Sequence, residues 1–171
     1  MHLRGITWDH PRGYEPLVAS SALYEKTFGH SVSWQKRSLA NFGDQSIEEL
    51  SSQFDLLIVD HPHAGIFWKS GCLIPLNEWL PENMLEKLAS QSAGPSFFSY
   101  NYKGKQWALP VDAAMQAAAL RPDLMGNLTI PESWKEVFEL SEILKHRNLS
   151  MGMALCPTDC LCTFLTLTAQ L

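Results

Sequence analysis

The short apolar run Leu-Leu-Ile-Val between Asp55 and Asp60 is the feature that most constrains the fold of this chain. A continuous apolar run bounded by two carboxylates predicts a strand that is buried on both of its faces. Such strands are typical of parallel sheets that are covered by helices. Because predicted helices and strands alternate on either side of the run, the sequence indicates an α/β fold with a parallel, doubly wound sheet.

Before this run, the sequence predicts two further strands and two helices. The strands are expected over residues 3–8 and 31–36, and the first helix over residues 16–28. Pro16 suits a first helical turn, and Gly29 suits a C-terminal stop. We expect Asp44 to cap the second helix, whose apolar stripe is formed by Ile47, Leu50 and Phe54.

After the run, helices are predicted over residues 64–70, which Gly71 should end, and over residues 81–91. The second of these is expected to turn Met84, Leu85 and Leu88 inward. Residues 100–109 indicate a hairpin that turns at Lys103-Gly104. Ser133 and Glu136 form a capping box at the start of a predicted helix that extends to about residue 146. The remaining predictions are strands over residues 114–120 and 149–155 and a final helix from residue 159.

Composition excludes several classes of function. The formal net charge is −5 and no basic block is present, so a nucleic-acid partner is not expected. No apolar run approaches the roughly 20 residues that would cross a bilayer. Cys156, Cys160 and Cys162 lack the paired spacing of a zinc site, and we interpret the cysteines as small buried residues.

Two similar segments follow the first and third predicted strands. Asp9-His10-Pro ends the first strand, and Asp60-His61-Pro ends the third. In open α/β sheets, ligands bind beyond the carboxyl ends of the strands. If the strand order begins 2-1-3, these residues and His63 should meet at one edge of the sheet.

The twin Asp-His-Pro segments leave more than one chemistry open. Histidine and carboxylate side chains would suit a metal ion, and Asp-His pairs could serve an α/β enzyme inside the cell as acid and base. Arg12 could instead hold an anionic substrate through its guanidinium. No nucleophile elbow, P-loop or dinucleotide fingerprint is present, so an enzyme remains the alternative hypothesis. No cofactor or catalytic residue is predicted.

A further pattern spans the second half of the chain. The segment Lys103 to Arg121, KGKQWALPVDAAMQAAALR, is followed by Arg121-Pro-Asp-Leu124 and by Pro131-Glu-Ser-Trp-Lys-Glu136. This order resembles the extracellular solute-binding proteins of ABC importers, in their carbohydrate-binding branch. The resemblance implies a periplasmic-binding-protein-like fold with one lobe over residues 1–110. A crossover and the beginning of a second lobe would occupy residues 111–171.

The resemblance also implies a function. It predicts capture of a small polar solute, a sugar or oligosaccharide, in a cleft that closes by hinge motion without a chemical reaction. The partners would be that solute and the membrane permease of the importer, with no insertion of this chain into the membrane. The location would be periplasmic or extracellular, although MHLRGITWDH lacks the apolar stretch of a signal peptide and a place inside the cell stays open.

Matching positions supply the candidate ligand-binding residues, which lie after the strands and in the crossover. They are Trp8, Asp9, His10, Arg12, Phe42, Asp44, Asp60, His61, His63 and Asp112. Carboxylates accept from sugar hydroxyls, Arg and His donate back, and aromatic rings such as Trp8 and Trp107 pack against C–H faces. Each residue has an ordinary alternative: strand-end caps for Asp9 and Asp60, core packing for the tryptophans, and an ion pair for Asp112.

Members of the resembled family are about twice as long as this chain. We therefore expect a fragment whose last helix, with Leu161, Phe164, Leu165 and Leu167, lacks its packing partners. Exposed apolar patches promote association. If the protein is 171 residues long, it should dimerise or aggregate.

Overall fold

The computed structural model of the chain describes residues 1–38, 41 and 45–169. It divides into two units, Met1–Ala113 and Ala114–Leu171. The first unit contains a parallel sheet and a hairpin, and the described part of the second unit contains helices. The predicted α/β class is confirmed.

The sheet of the first unit has the order β2-β1-β3, which is the order under which the two Asp-His-Pro segments were expected to meet. Its strands are β1 (His2–Trp8), β2 (Ser31–Arg37) and β3 (Leu56–Leu57), and all are parallel. β1 pairs with β2 along its whole length. Hydrogen bonds of 2.8 Å from Asp55 N–H to the Arg4 carbonyl and 2.9 Å from Ile58 N–H to the Ile6 carbonyl extend its contact with β3.

Two expectations about β3 need correction, namely its length and its burial on both faces. β3 comprises only Leu56 and Leu57, and Leu56 is 37% exposed, so this strand is not buried on both faces. β3 lies at the edge of the sheet and, among the described strands, is hydrogen-bonded only to β1. Burial of a strand's faces depends on the helices that cover them, and these leave Leu56 partly exposed.

Helix α1 (Pro11–Phe28) begins before the predicted position. The ring of His10 caps it, because Nδ1 accepts from the Arg12 N–H at 3.2 Å, and Pro11 occupies the first turn. Pro16 consequently lies inside the helix. Gly29 ends α1 as predicted, with a φ of 69° and a bond from its N–H to the Glu25 carbonyl.

Helix α2 (Ile47–Gln53) is capped by Ser46, whose hydroxyl accepts from the Glu49 N–H at 3.3 Å. The predicted cap, Asp44, lies outside the described residues, as does Phe42. Ile47 and Leu50 lie in the core of the first unit, against which Phe54 is partly buried. The buried members of this core are Ile6, Ile47, Leu50, Val59, Ala64, Phe67 and Trp107.

The other elements of the first unit follow the predictions closely. Helix α3 (Ala64–Ser70) ends at Gly71, which has a φ of 64°. Helix α4 (Glu82–Gln91) leaves Leu85 and Leu88 half-buried, but Met84 is exposed and does not point inward as predicted. The strands β4 (Asn101–Tyr102) and β5 (Lys105–Gln106) form the hairpin. Lys103 and Gly104 both have positive φ, which matches the right-handed twist of a two-residue turn.

The second unit contains α5 (Pro122–Met125), α6 (Trp134–His146) and α7 (Pro157–Thr168). The Ser133 hydroxyl accepts from the Glu136 N–H at 3.3 Å, and the Glu136 carboxylate accepts from the Glu132 N–H at 2.7 Å. The predicted cap is thus present. On α7, Leu161, Phe164 and Leu165 are exposed.

The strands predicted over residues 114–120 and 149–155 are wrong, because both segments lack regular structure. A strand exists only when a neighbouring strand satisfies its N–H and C=O groups. Within the described part of the second unit, neither segment is paired with another strand. No helix in the described ranges is long and apolar enough to cross a bilayer.

Candidate functional site

Polar residues surround the carboxyl ends of β1 and β3, which are neighbours in the sheet. We call this group the rim. Its members come from the β1–α1 junction, the end of β2, the residues after β3, and the segments before and after the hairpin. They are Asp9, His10, Arg12, Lys36, Arg37, Asp60, His61, Tyr100 and Asp112.

Asp9 is held at the rim by β2. Its N–H donates to the Arg37 carbonyl at 2.8 Å, and its carboxylate accepts from Lys36 Nζ at 2.7 Å. This hydrogen bond, together with the attraction of the carboxylate, raises the pKa of Lys36. The ammonium also lies 5.0 Å from the centre of the Tyr14 ring. Asp9 and Lys36 are both about half exposed, so their polar atoms remain accessible at the surface.

Arg12 and Asp112 join the beginning of α1 to the segment after the hairpin. Arg12 Nε lies 3.1 Å from Asp112 Oδ2. The Asp112 side chain is 24% exposed and that of Arg12 is 56% exposed. The ion-pair alternative that the sequence left open for Asp112 is therefore present. Because both side chains keep some access to solvent, the pair can exchange its bonds with those of another polar molecule.

Arg37 is a buried member of the rim, with 6% of its surface exposed. Its Nη2 donates to the Ile58 carbonyl at 2.9 Å, which ties the end of β2 to the end of β3. Burial lowers the pKa of Arg37, and the nearby Asp60 carboxylate opposes that effect. The guanidinium thus provides a fixed positive charge beside Asp60.

Tyr100 brings the pre-hairpin segment to the rim. Its hydroxyl donates to the Val59 carbonyl at 3.0 Å, immediately before Asp60. Burial raises the pKa of Tyr100, and the charges of Asp60 and Asp112 raise it further. The ring of His61 meets the Tyr100 ring edge-on at 6.5 Å.

Sequence reasoning missed Lys36, Arg37 and Tyr100 as rim residues. A charged residue at the end of an alternating strand usually reaches solvent, so nothing in the sequence marks Arg37 as buried. Tyr100 follows β3 by many positions and meets it only in the folded chain. The Lys36-Arg37 pair at a strand end was the available signal, because parallel neighbours end at one edge of the sheet.

The remaining candidates have different positions. His10 is exposed and caps α1, while His63 packs 6.4 Å from the Phe67 ring, with an Nδ1 atom that has no hydrogen-bond partner among the described residues. Trp8 is buried, and its ring packs directly over Gly13. Trp107 belongs to the core, so the alternative role of core packing applies to it. Ligand contact stays a prediction for the candidate residues.

The rim does not assemble an evident metal site. Within residues 1–38, 41 and 45–169, no group of three or more His, Cys, Asp or Glu side chains is arranged to hold a metal ion. Its carboxylates instead lie beside cations from β2 and α1. The arrangement offers paired acceptors and donors at an exposed edge, which suits hydrogen bonding to a polar solute.

Comparison with protein families gives a match over most of the chain. Residues 8–159 match the family described as bacterial extracellular solute-binding protein. This chain is a member of that family. The match begins at the end of β1 and includes every described rim residue. Proteins of the family bind solutes and are not enzymes, and they act outside the cytoplasm.

Comparison with solved structures supports the same fold. A cyclo/maltodextrin-binding protein, solved with maltotetraose, superposes with a TM-score of 0.61 at 19% sequence identity. The match covers 83% of this solute-binding chain and 36% of the maltodextrin-binding chain. This chain thus matches about a third of the other protein's length. A search of curated protein sequences gives no significant match.

Proposed function

We propose that this member of the solute-binding family captures a small polar solute, a sugar or oligosaccharide, for an ABC importer. Binding would occur at the rim without a chemical reaction. The membrane permease of the importer would be its protein partner, and its location would be periplasmic or extracellular. The family match and the fold shared with a maltodextrin-binding protein support this proposal.

The observation that most supports a sugar is the pairing of opposite charges at the rim. Asp9 lies against Lys36, and Asp112 lies against Arg12. Asp60 lies near the fixed charge of Arg37. An anion or a cation would have to displace a partner of its own sign. A neutral polyol can instead donate to the carboxylates and accept from the cations, because each hydroxyl does both.

Isothermal titration calorimetry with a panel of neutral sugars tests the proposal. Asp112→Asn and Asp60→Asn keep the size of each side chain but remove its charge. Each variant should weaken sugar binding by tenfold or more, because a hydrogen bond to a charged group contributes about 1.5–3 kcal/mol. Asp123→Asn is the matched control, since Asp123 is an exposed partner of Arg121 in the second unit.

Two results would contradict the proposal. The first is an absence of binding for every neutral mono- and oligosaccharide in the panel. The second is equal binding by the rim variants and Asp123→Asn, which would place sugar binding elsewhere. Tight binding of an anion that requires Arg12 would favour the anionic substrate instead.

A further inference from the structure

An open groove is lined by residues of α2, α3 and the hairpin. It has a volume of about 700 Å³ and lies between α3 and the hairpin. Its lining includes Pro62, Gly65, Trp68 and Tyr102, with Glu48 and Lys69 as charged members. We call it the aromatic groove. Binding clefts for small molecules commonly have volumes of about 300–1,000 Å³.

Two partly exposed aromatic rings dominate the groove. Trp68 is 47% exposed and Tyr102 is 38% exposed. Their ring centres are 5.8 Å apart, and their planes are inclined at 55°. Neither residue belongs to the core of the first unit. Large aromatic side chains that remain exposed next to each other are typical of binding surfaces.

Polar groups accompany the rings. The Lys103 ammonium lies 5.9 Å from the Trp68 ring centre and 6.0 Å from that of Tyr102. Glu48 provides an acceptor, and Lys69 provides a second cationic donor. An apolar floor with mixed donors and acceptors matches a pyranose ring, which has C–H faces and hydroxyls at its edge.

The groove adjoins the rim through the turn after β3. Pro62 lines the groove, while its neighbour His61 packs against Tyr100 at the rim. On the hairpin side, Tyr100 is a rim residue and Tyr102 lines the groove. Gly65 lies next to the Tyr102 ring, since a Cβ atom there would be in ordinary contact with it at 3.8 Å.

We infer that the aromatic groove binds the outer sugar units of an oligosaccharide whose first units occupy the rim. This inference rests on the proposed function. It adds a preference for chain length, since a short sugar would fill the rim alone. A longer neutral oligosaccharide would also stack on Trp68 and Tyr102 and donate hydroxyl protons to Glu48.

A series of linear maltodextrins, from maltotriose to maltohexaose, tests the inference by calorimetry on the full chain. In the unmodified chain, affinity should rise with sugar length. Trp68→Ala should remove most of that rise, a loss of about tenfold for maltohexaose, and leave maltotriose binding unchanged. Tyr102→Ala provides a second, independent variant with the same expected pattern.

Trp79→Ala is the matched control. Trp79 is 71% exposed and does not line the groove, so its removal should leave both affinities unchanged. The thermal unfolding midpoint of each variant checks that the fold is retained.

The outcomes separate the inference from the proposed function. If maltotriose binds but affinity does not depend on length, or if Trp68→Ala and Trp79→Ala behave alike, the groove inference is wrong. If no maltodextrin binds and the wider sugar panel also fails, the proposed function itself is wrong. A loss of maltotriose binding in Trp68→Ala would make Trp68 part of the primary site and would also overturn the inference.

Discussion

Arg12 and Asp112 form an ion pair between the first turn of α1 and the segment that follows the hairpin, with 3.1 Å between Nε and Oδ2. The pair joins residues that are far apart in the sequence, yet both side chains retain access to solvent. A contact of this kind fixes geometry without contributing much free energy. It can therefore hold two candidate ligand-binding groups in place while both remain open to solvent.

The first prediction concerns the free energy of this pair. A double-mutant cycle with Arg12→Gln and Asp112→Asn should give a coupling energy under about 1 kcal/mol, because exposed ion pairs are screened by water and salt. Urea unfolding at low and high ionic strength measures it, and the coupling should shrink at high salt. The exposed pair Lys135 and Glu139 serves as a control cycle. A coupling of several kcal/mol would show that the pair is a structural bond.

The second prediction concerns the contact between Gly13 and Trp8. A Cβ atom on Gly13 would lie 2.4 Å from the Trp8 ring, closer than any real contact. Gly13→Ala should lower the free energy of unfolding by about 1–3 kcal/mol, because Trp8 or α1 must move. Gly65→Ala is the control in another helix, where the nearest ring atom is 3.8 Å away. Equal stability of the two variants would mean that the Trp8 ring adjusts without cost.

The third prediction concerns the core. Leu50 is completely buried, so Leu50→Ala should lower the free energy of unfolding by about 2–5 kcal/mol through lost burial and a residual cavity. Leu23→Ala, at a site that is 66% exposed in α1, should change it by less than about 1 kcal/mol. Chemical denaturation measures both values. A small effect at Leu50 would place the core of this unit elsewhere.

The fourth prediction concerns alkaline pH. Burial, with the charges of Asp60 and Asp112, raises the pKa of Tyr100 in the folded chain above the unfolded value of about 10. Below that pH the tyrosine is neutral in both states, so its contribution to stability is constant. As pH rises above about 10, the unfolded chain releases the proton more readily, and the free energy of unfolding should fall.

Unfolding curves between roughly pH 9 and pH 11 measure this loss, since that window spans the ordinary pKa of tyrosine. Tyr100→Phe should reduce the alkaline loss, although it also removes the bond to the Val59 carbonyl and so lowers stability at neutral pH. Leu23→Ala, which removes an exposed side chain of α1 that does not ionise, is the control and should leave the alkaline slope unchanged. An identical slope in Tyr100→Phe and the unmodified chain would contradict the prediction.

Local signals in the sequence predicted much of the first unit. Gly71 ends α3, and Lys103-Gly104 forms the hairpin turn, because both sites use backbone conformations that few residue pairs adopt. The two Asp-His-Pro segments were expected at one edge of the sheet if the strand order began 2-1-3, and the sheet has that order. These features depend on neighbours along the chain or on a repeated sequence, and both are visible without a structure.

The errors arose where structure depends on distant partners. Residues 114–120 and 149–155 have apolar patterns suited to strands, but a strand also requires a paired neighbour. The early start of α1 depends on the His10 ring, and histidine is not among the usual capping residues Ser, Thr, Asp and Asn. Tyr100 reaches the rim through its bond to the Val59 carbonyl, which no local pattern shows, and the burial of Arg37 depends on its bond to the Ile58 carbonyl after β3.

Pro16 lies inside α1 and weakens the link between the first turn of the helix, which carries Arg12, and the turns that follow. Proline has no N–H group, so the carbonyl of Arg12 lacks the donor that it would have in an uninterrupted helix. The opening turn, with Arg12, is therefore coupled to the body of α1 by one bond fewer. The position of Arg12 therefore depends more on contacts outside the helix ladder, which are its ion pair with Asp112 and the packing of the neighbouring Gly13 against the Trp8 ring.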